Sequence, residues 1–80
     1  MELTRKFDTA DLKGYTLDTA LPVEFELVKR GEEWVARMFL NGRLISNLGR
    51  FSTEGQATYV IHGMVRYIEG NGGCPVPQSI

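Results

Sequence analysis

Thr53-Glu54-Gly55-Gln56-Ala57-Thr58-Tyr59-Val60-Ile61-His62-Gly63-Met64-Val65-Arg66-Tyr67-Ile68-Glu69 is the longest periodic stretch in the chain, and its spacing predicts a helix from about 53 to 69. Ala57, Val60, Ile61, Met64, Val65 and Ile68 recur at three- and four-residue intervals, which gathers them on one stripe of a helix. Ser52 and Thr53 can cap the first turn, and Thr53 with Gln56 fits a reciprocal capping box. Glu54 adds negative charge at the positive end of the helix dipole. Gly70-Asn71-Gly72-Gly73 supplies the stop, because glycine and asparagine readily take the left-handed conformation past a helix C-terminus. Gly55 and Gly63 run against the pattern, each costing a helix about 1 kcal/mol relative to alanine.

Upstream of this helix the hydrophobic period changes to two. Val23, Phe25 and Leu27 alternate with Glu24 and Glu26, the mark of a strand with one buried face. Lys29-Arg30-Gly31-Glu32 reads as a turn, and Trp34 to Leu40 as a second strand. Asn41-Gly42 is a strong hairpin signal, since a type I′ turn needs two residues that accept positive φ. Arg43 to about Arg50 then returns as a third strand. A two-residue turn there sets Leu40 opposite Arg43, Met38 opposite Ile45 and Val35 opposite Leu48. With Leu27 opposite Trp34, one face carries Val23, Phe25, Leu27, Trp34, Ala36, Met38, Leu40 and Ile45, and this is the face the helix should cover. The reverse face carries an apolar group, Val35, Phe39, Leu44 and Leu48, beside Glu24 placed to pair with Arg37. Such a group calls for a cover, either residues 1–20 or another chain.

Nearer the N-terminus, Leu3 to Phe7 suits a short strand. Asp8 to Gly14 suits one or two helical turns, with Asp8 or Thr9 as cap and Gly14 as stop. Tyr15, Leu17 and Leu21 are apolar residues in a loop-like stretch and are expected to pack down. Cys74-Pro75-Val76-Pro77-Gln78-Ser79-Ile80 reads as an extended tail, because two prolines so close exclude regular structure. The expected architecture is therefore α+β, a three-stranded antiparallel meander with one long C-terminal helix on one face. Residues 1–73 would form a single domain and residues 74–80 the tail.

Composition excludes several classes of function. Nine basic residues against ten acidic leave a net charge of −1, which gives no electrostatic case for binding nucleic acid or an anionic membrane. One cysteine, Cys74, allows no internal disulfide and fits a reducing, cytoplasmic setting. Met1 to Lys6 lacks the apolar core of a signal peptide, and no run approaches the ~18 apolar residues of a membrane span.

No constellation suits catalysis. His62 is the only histidine and falls beside the polar side of the helical wheel, without a second ligand or base. Cys74 has no C-x-x-C partner and no adjacent base. Gly70-Asn71-Gly72-Gly73 follows a helix rather than opening one, so it is no phosphate loop. Glu24 and Glu26 share a strand face but lack a pocket signal. An enzyme is not expected, and no cofactor or metal is called for. The outer helix face offers more. Tyr59, His62 and Arg66, with Tyr67 on the flank, join residue types that combine contact area with directional bonding at protein interfaces.

The order of elements over residues 8–69, a short helix, three antiparallel strands and a long helix, resembles the double-stranded-RNA-binding domain. That family reads its duplex with lysines at the start of the last helix; here the matching segment, Ser52-Thr53-Glu54-Gly55-Gln56-Ala57, has no lysine and one acid. The resemblance therefore implies the layout and not the RNA contact. In scale and style the chain is also similar to the small inhibitors of bacterial defence that phages encode, anti-CRISPR proteins among them. The expected function is non-enzymatic binding to a protein partner, as a steric inhibitor or adaptor. Tyr59, His62, Arg66 and Tyr67 are the first contact candidates; Val35, Phe39, Leu44 and Leu48 form a second interface or a homodimer contact. The alternative is a nucleic-acid contact through Arg37, Arg43 and Arg50.

Overall fold

The computed structural model describes residues 3–18 and 23–71. Five strands follow one another as a meander: β1 (Leu3–Asp8), β2 (Leu12–Leu17), β3 (Val23–Arg30), β4 (Glu33–Leu40) and β5 (Arg43–Phe51). They form one antiparallel sheet in the order β1-β2-β3-β4-β5, and helix α1 (Glu54–Gly70) closes the described chain. The α+β class and the C-terminal helix agree with the sequence. The strand number does not, since there are five strands rather than three and no N-terminal helix.

In place of the expected helical turns at residues 8–14 stand the end of β1, a turn at residues 9–11 and the start of β2. Thr9 closes the turn three ways: its backbone N–H donates to the Leu12 carbonyl at 2.8 Å, its hydroxyl donates to the same oxygen at 2.8 Å, and the Leu12 N–H donates back to that hydroxyl at 3.0 Å. Threonine and aspartate favour a turn for the same reason they favour a cap, since both satisfy nearby backbone groups. Gly14 is no helix stop. It lies in β2 directly under the Phe7 ring, and a Cβ at this position would stand 2.4 Å from two ring carbons. Tyr15 and Leu17 do pack down, as inward residues of β2 aligned with Phe25 and Val23. Leu21 falls outside the described residues.

In the β3–β4 hairpin the turn is tighter than expected, with Arg30 opposite Glu33 and Leu27 opposite Ala36 rather than Trp34. A shift of two residues preserves side-chain parity, so the predicted inner face survives. Val23, Phe25, Leu27, Trp34, Ala36 and Met38 are buried, and Leu40 and Ile45 are partly buried against them. The shift does change the ion pairs. Arg37 stands opposite Glu26 and bonds to it, while Glu24 bonds to Lys6 of β1.

Asn41 and Gly42 adopt φ of 54° and 77°, as a type I′ turn requires, and Leu40 faces Arg43. Beyond that pair the β4–β5 register departs from expectation at two bulges. Met38 faces Ser46 instead of Ile45, and Val35 faces Arg50 instead of Leu48. Each bulge inserts one residue into β5, which re-aims the side chains that follow it. Leu48 consequently leaves the reverse face and packs, half-buried, against the core.

Helix α1 covers the inner face through Ala57, Ile61, Val65 and Ile68, all buried, with Met64 packed beside them. Val60, also on the predicted stripe, is half-buried. Thr53 caps the helix: its side chain accepts the Gln56 N–H at 3.2 Å. The predicted box is only half made, because the Gln56 amide oxygen accepts from the Ser52 hydroxyl at 3.1 Å rather than turning back to Thr53. Asn71 follows the helix at φ −100°, outside the left-handed region, and its N–H bonds to the Tyr67 and Ile68 carbonyls at 3.1 Å each. The tail containing Cys74 lies outside the described residues.

Candidate binding surfaces

Among the described residues three surfaces remain open: the outside of the helix, the back of the sheet, and a cleft where β5 runs into the helix. The helix exterior follows directly from its period. Placing Ala57, Ile61, Val65 and Ile68 inward turns Tyr59, His62, Gly63 and Arg66 outward. Tyr59 is 74% exposed and Tyr67 42%. His62 and Arg66 are exposed between them. The side of Gly63 is vacant, with no atom within 4 Å of where a Cβ would sit, so the helix backbone is approachable there. Arg66 takes no part in an ion pair among the described residues.

At the N-terminal end this exterior runs into a cleft lined by Arg50, Phe51, Ser52, Gly55, Gln56, Tyr59 and Val60. Sequence reasoning named only Tyr59 of these for a protein partner. The signal available for the rest was Gly55, a small residue in the first turn with open space at its side.

The back of the sheet has no cover among the described residues, because residues 3–17 extend the sheet instead of folding across it. Its side chains fall into cross-strand rows. One row is Leu12, Val28, Val35 and Arg50; the next is Phe7, Gly14, Glu26, Arg37 and Asn47; the third is Thr4, Thr16, Glu24, Phe39 and Leu44. Phe39 and Leu44 stand directly opposite one another, as a shared interface would need, but Val35 lies two rows away and Leu48 is turned to the core. Between the apolar ends runs the Arg37–Glu26 ion pair, with the Arg37 guanidinium 5.7 Å from the Phe39 ring centre. This surface is mixed rather than greasy.

The three arginines proposed for nucleic acid do not form one patch. Arg37 and Arg50 share the back of the sheet, whereas Arg43 pairs with the inward Leu40 beside the Asn41-Gly42 turn. Their partners Leu40 and Val35 lie five residues apart on β4, which at ~3.3 Å per strand residue separates Arg43 from Arg50 by about 17 Å.

Among the described residues the ionisable groups with shifted values cluster elsewhere. The Lys13 ammonium bonds to the Asp8 carboxylate and stands 3.9 Å from Glu54 at the start of the helix. That hydrogen bond from Lys13 holds the Asp8 carboxyl below its ordinary range against some desolvation, with Arg5 at 2.8 Å assisting. The same bond raises Lys13. Because Lys13 also approaches Glu54, the cluster ties the first hairpin to the helix. It is a structural clamp, not a site in a cleft. Among the described residues no three histidine, cysteine, aspartate or glutamate side chains gather as metal ligands, and no helix is long and apolar enough to cross a membrane. Compared with known protein families, curated proteins and solved structures, the chain matches none.

Proposed function

We propose that this protein is a non-enzymatic binding module that docks on another protein through the outside of α1, acting as a steric inhibitor or adaptor. The observation that carries the reading is the row of Tyr59, His62, Arg66 and Tyr67 around the vacant side of Gly63. Two exposed tyrosines and an arginine without an ion pair among the described residues lie outside the buried core, and they are residue types that dominate protein contacts. A partner backbone can close on Gly63 while the tyrosines lie flat on either side, and the cleft at Phe51, Gly55 and Val60 offers an apolar anchor point. A compact domain with its contact residues on one rigid helix suits a blocking protein, including an inhibitor of the kind phages direct at bacterial defence complexes.

Affinity capture of the tagged protein from lysate, with and without nuclease, tests this reading when run beside the Tyr59→Ala/Arg66→Ala variant. The expected result is a stoichiometric protein that survives nuclease and is lost with the variant. Capture that is indifferent to the variant refutes the helix surface. Recovery of nucleic acid that washes off at moderate salt refutes the protein-binding reading itself.

A further inference from the structure

The back of β4–β5, where that edge meets the β3–β4 turn, gathers three guanidinium groups around one depression. Its lining is Arg30, Arg37, Arg50, Asn47, Val35 and Gly49. We propose that this depression binds a small phosphate oxyanion, at a site that shares only Arg50 with the cleft beside the helix.

The fold builds the cluster in a way the sequence does not announce. Asn47 and Arg50 are three residues apart, so in a regular strand they would point to opposite faces. The bulge that sends Leu48 into the core puts both on the back, Asn47 opposite Arg37 and Arg50 opposite Val35. Arg30 lies two residues beyond Val28, the partner of Val35, and therefore shares that face. Of the arginines named from sequence, Arg37 and Arg50 belong to the cluster and Arg43 does not.

The charges in the depression are incompletely matched. Glu26 holds Arg37 through one terminal nitrogen, but the buried Arg37 Nε–H has no hydrogen-bond partner among the described residues. An orphaned donor of this kind is uncommon, and with no surface of its own it meets an added acceptor only if the side chain shifts. Arg50 has only a 4.0 Å approach from Glu33, with the two side chains 72% and 55% exposed, so that pair contributes little. Arg30 has no ion pair among the described residues. Three guanidinium groups thus face two carboxylates.

A guanidinium fork matches two oxygens of an oxyanion. A carboxylate is used up by one such fork. A phosphate has further oxygens for a second arginine and for the Asn47 amide, which favours phosphate here. A long phosphodiester strand is a poorer fit, because Arg43 at the other end and on the other side provides no continuing track.

The test is an amide-resolved NMR titration with pyrophosphate, with sodium chloride of equal ionic strength as control. Saturable shifts are expected at Val35, Asn47 and Gly49. Losing one charge-assisted contact in Arg30→Ala or in Arg50→Ala should weaken binding by about tenfold or more. Glu33→Gln should strengthen it, since the competing carboxylate is gone, and Arg43→Ala should leave it unchanged. A phosphate monoester that binds as pyrophosphate does would identify small esters as ligands; binding of pyrophosphate alone would confine the site to inorganic anions, and either outcome supports it. Shifts that fail to saturate, or that sodium chloride reproduces, overturn the proposal. So does an oligonucleotide that binds more tightly than pyrophosphate and is weakened equally by Arg43→Ala.

Discussion

The two faces of the sheet are made from the same strands and differ in almost every physical respect. Val23, Phe25, Leu27, Ala36 and Met38 point inward and are almost fully buried beneath α1. Their immediate neighbours, Glu24, Glu26, Val28, Val35 and Arg37, point the other way and keep part of their surface exposed, with cross-strand ion pairs among them. Stability therefore resides on one side, where apolar area leaves water at roughly 25 cal/mol per Å². The other side stays free to hold charge. The helix repeats the division on a smaller scale, with an aliphatic stripe facing the sheet and tyrosine, histidine and arginine facing out.

Two phenylalanines offer the sharpest way to break this comparison. Phe25→Ala removes a ring from the packed face and should cost about 3–5 kcal/mol of unfolding free energy. Phe39→Ala, on the open face, should cost about 1 kcal/mol, since its ring is only partly covered. Urea denaturation of the two variants measures both. Equal losses would mean that the back of the sheet is as covered as the front, and the division of labour would collapse. A smaller effect sharpens the account of how the helix is anchored. Thr53→Ala deletes the bond to the Gln56 N–H and should cost about 1 kcal/mol, read from the same denaturation curves.

What the sequence made legible follows from which signals are local. The inner face was readable because a period of two survives even when a turn is misjudged by two residues, as at Arg30–Glu33. The Asn41-Gly42 turn was readable because few residue pairs accept its backbone. The first hairpin was not, since Asp8-Thr9-Ala10 caps a turn as well as a helix and Gly14 looks like a stop until Phe7 is seen lying on it. The bulges in β5 were invisible for a different reason. An inserted residue leaves no mark in composition, so regular alternation puts Leu48 on the reverse face and separates Asn47 from Arg50, which the bulges bring together. The exposed helix residues were named from the wheel alone and do stand together on the outside. The cleft beside them depends on how β5 enters the helix, which no periodicity encodes.

The smallest expected effect concerns pH and the clamp between the first hairpin and the helix. Asp8 is held below its ordinary value by the hydrogen bond from Lys13. Its contribution to stability is complete above the unfolded carboxylate's value of about 4 and is lost as pH falls through the lower folded value. Lys13 is raised, so its contribution is complete below about 10.4 and is lost as pH rises through the higher folded value. Lys13→Met should flatten both limbs of a stability–pH profile while leaving its neutral plateau close to level. An unchanged acid limb would show that the clamp does not operate in solution.

The central claim is that α1 has an inside that holds the fold and an outside that is free for a partner. Thermal denaturation of Tyr59→Ala/Arg66→Ala beside Ile61→Ala tests it most directly. Ile61 is fully buried, and its truncation should lower the melting temperature by many degrees, in line with a loss of about 2–5 kcal/mol. The double variant should melt within about a degree or two of the unaltered protein. If instead it melts as early as Ile61→Ala, those side chains belong to the core and the helix has no free face to offer.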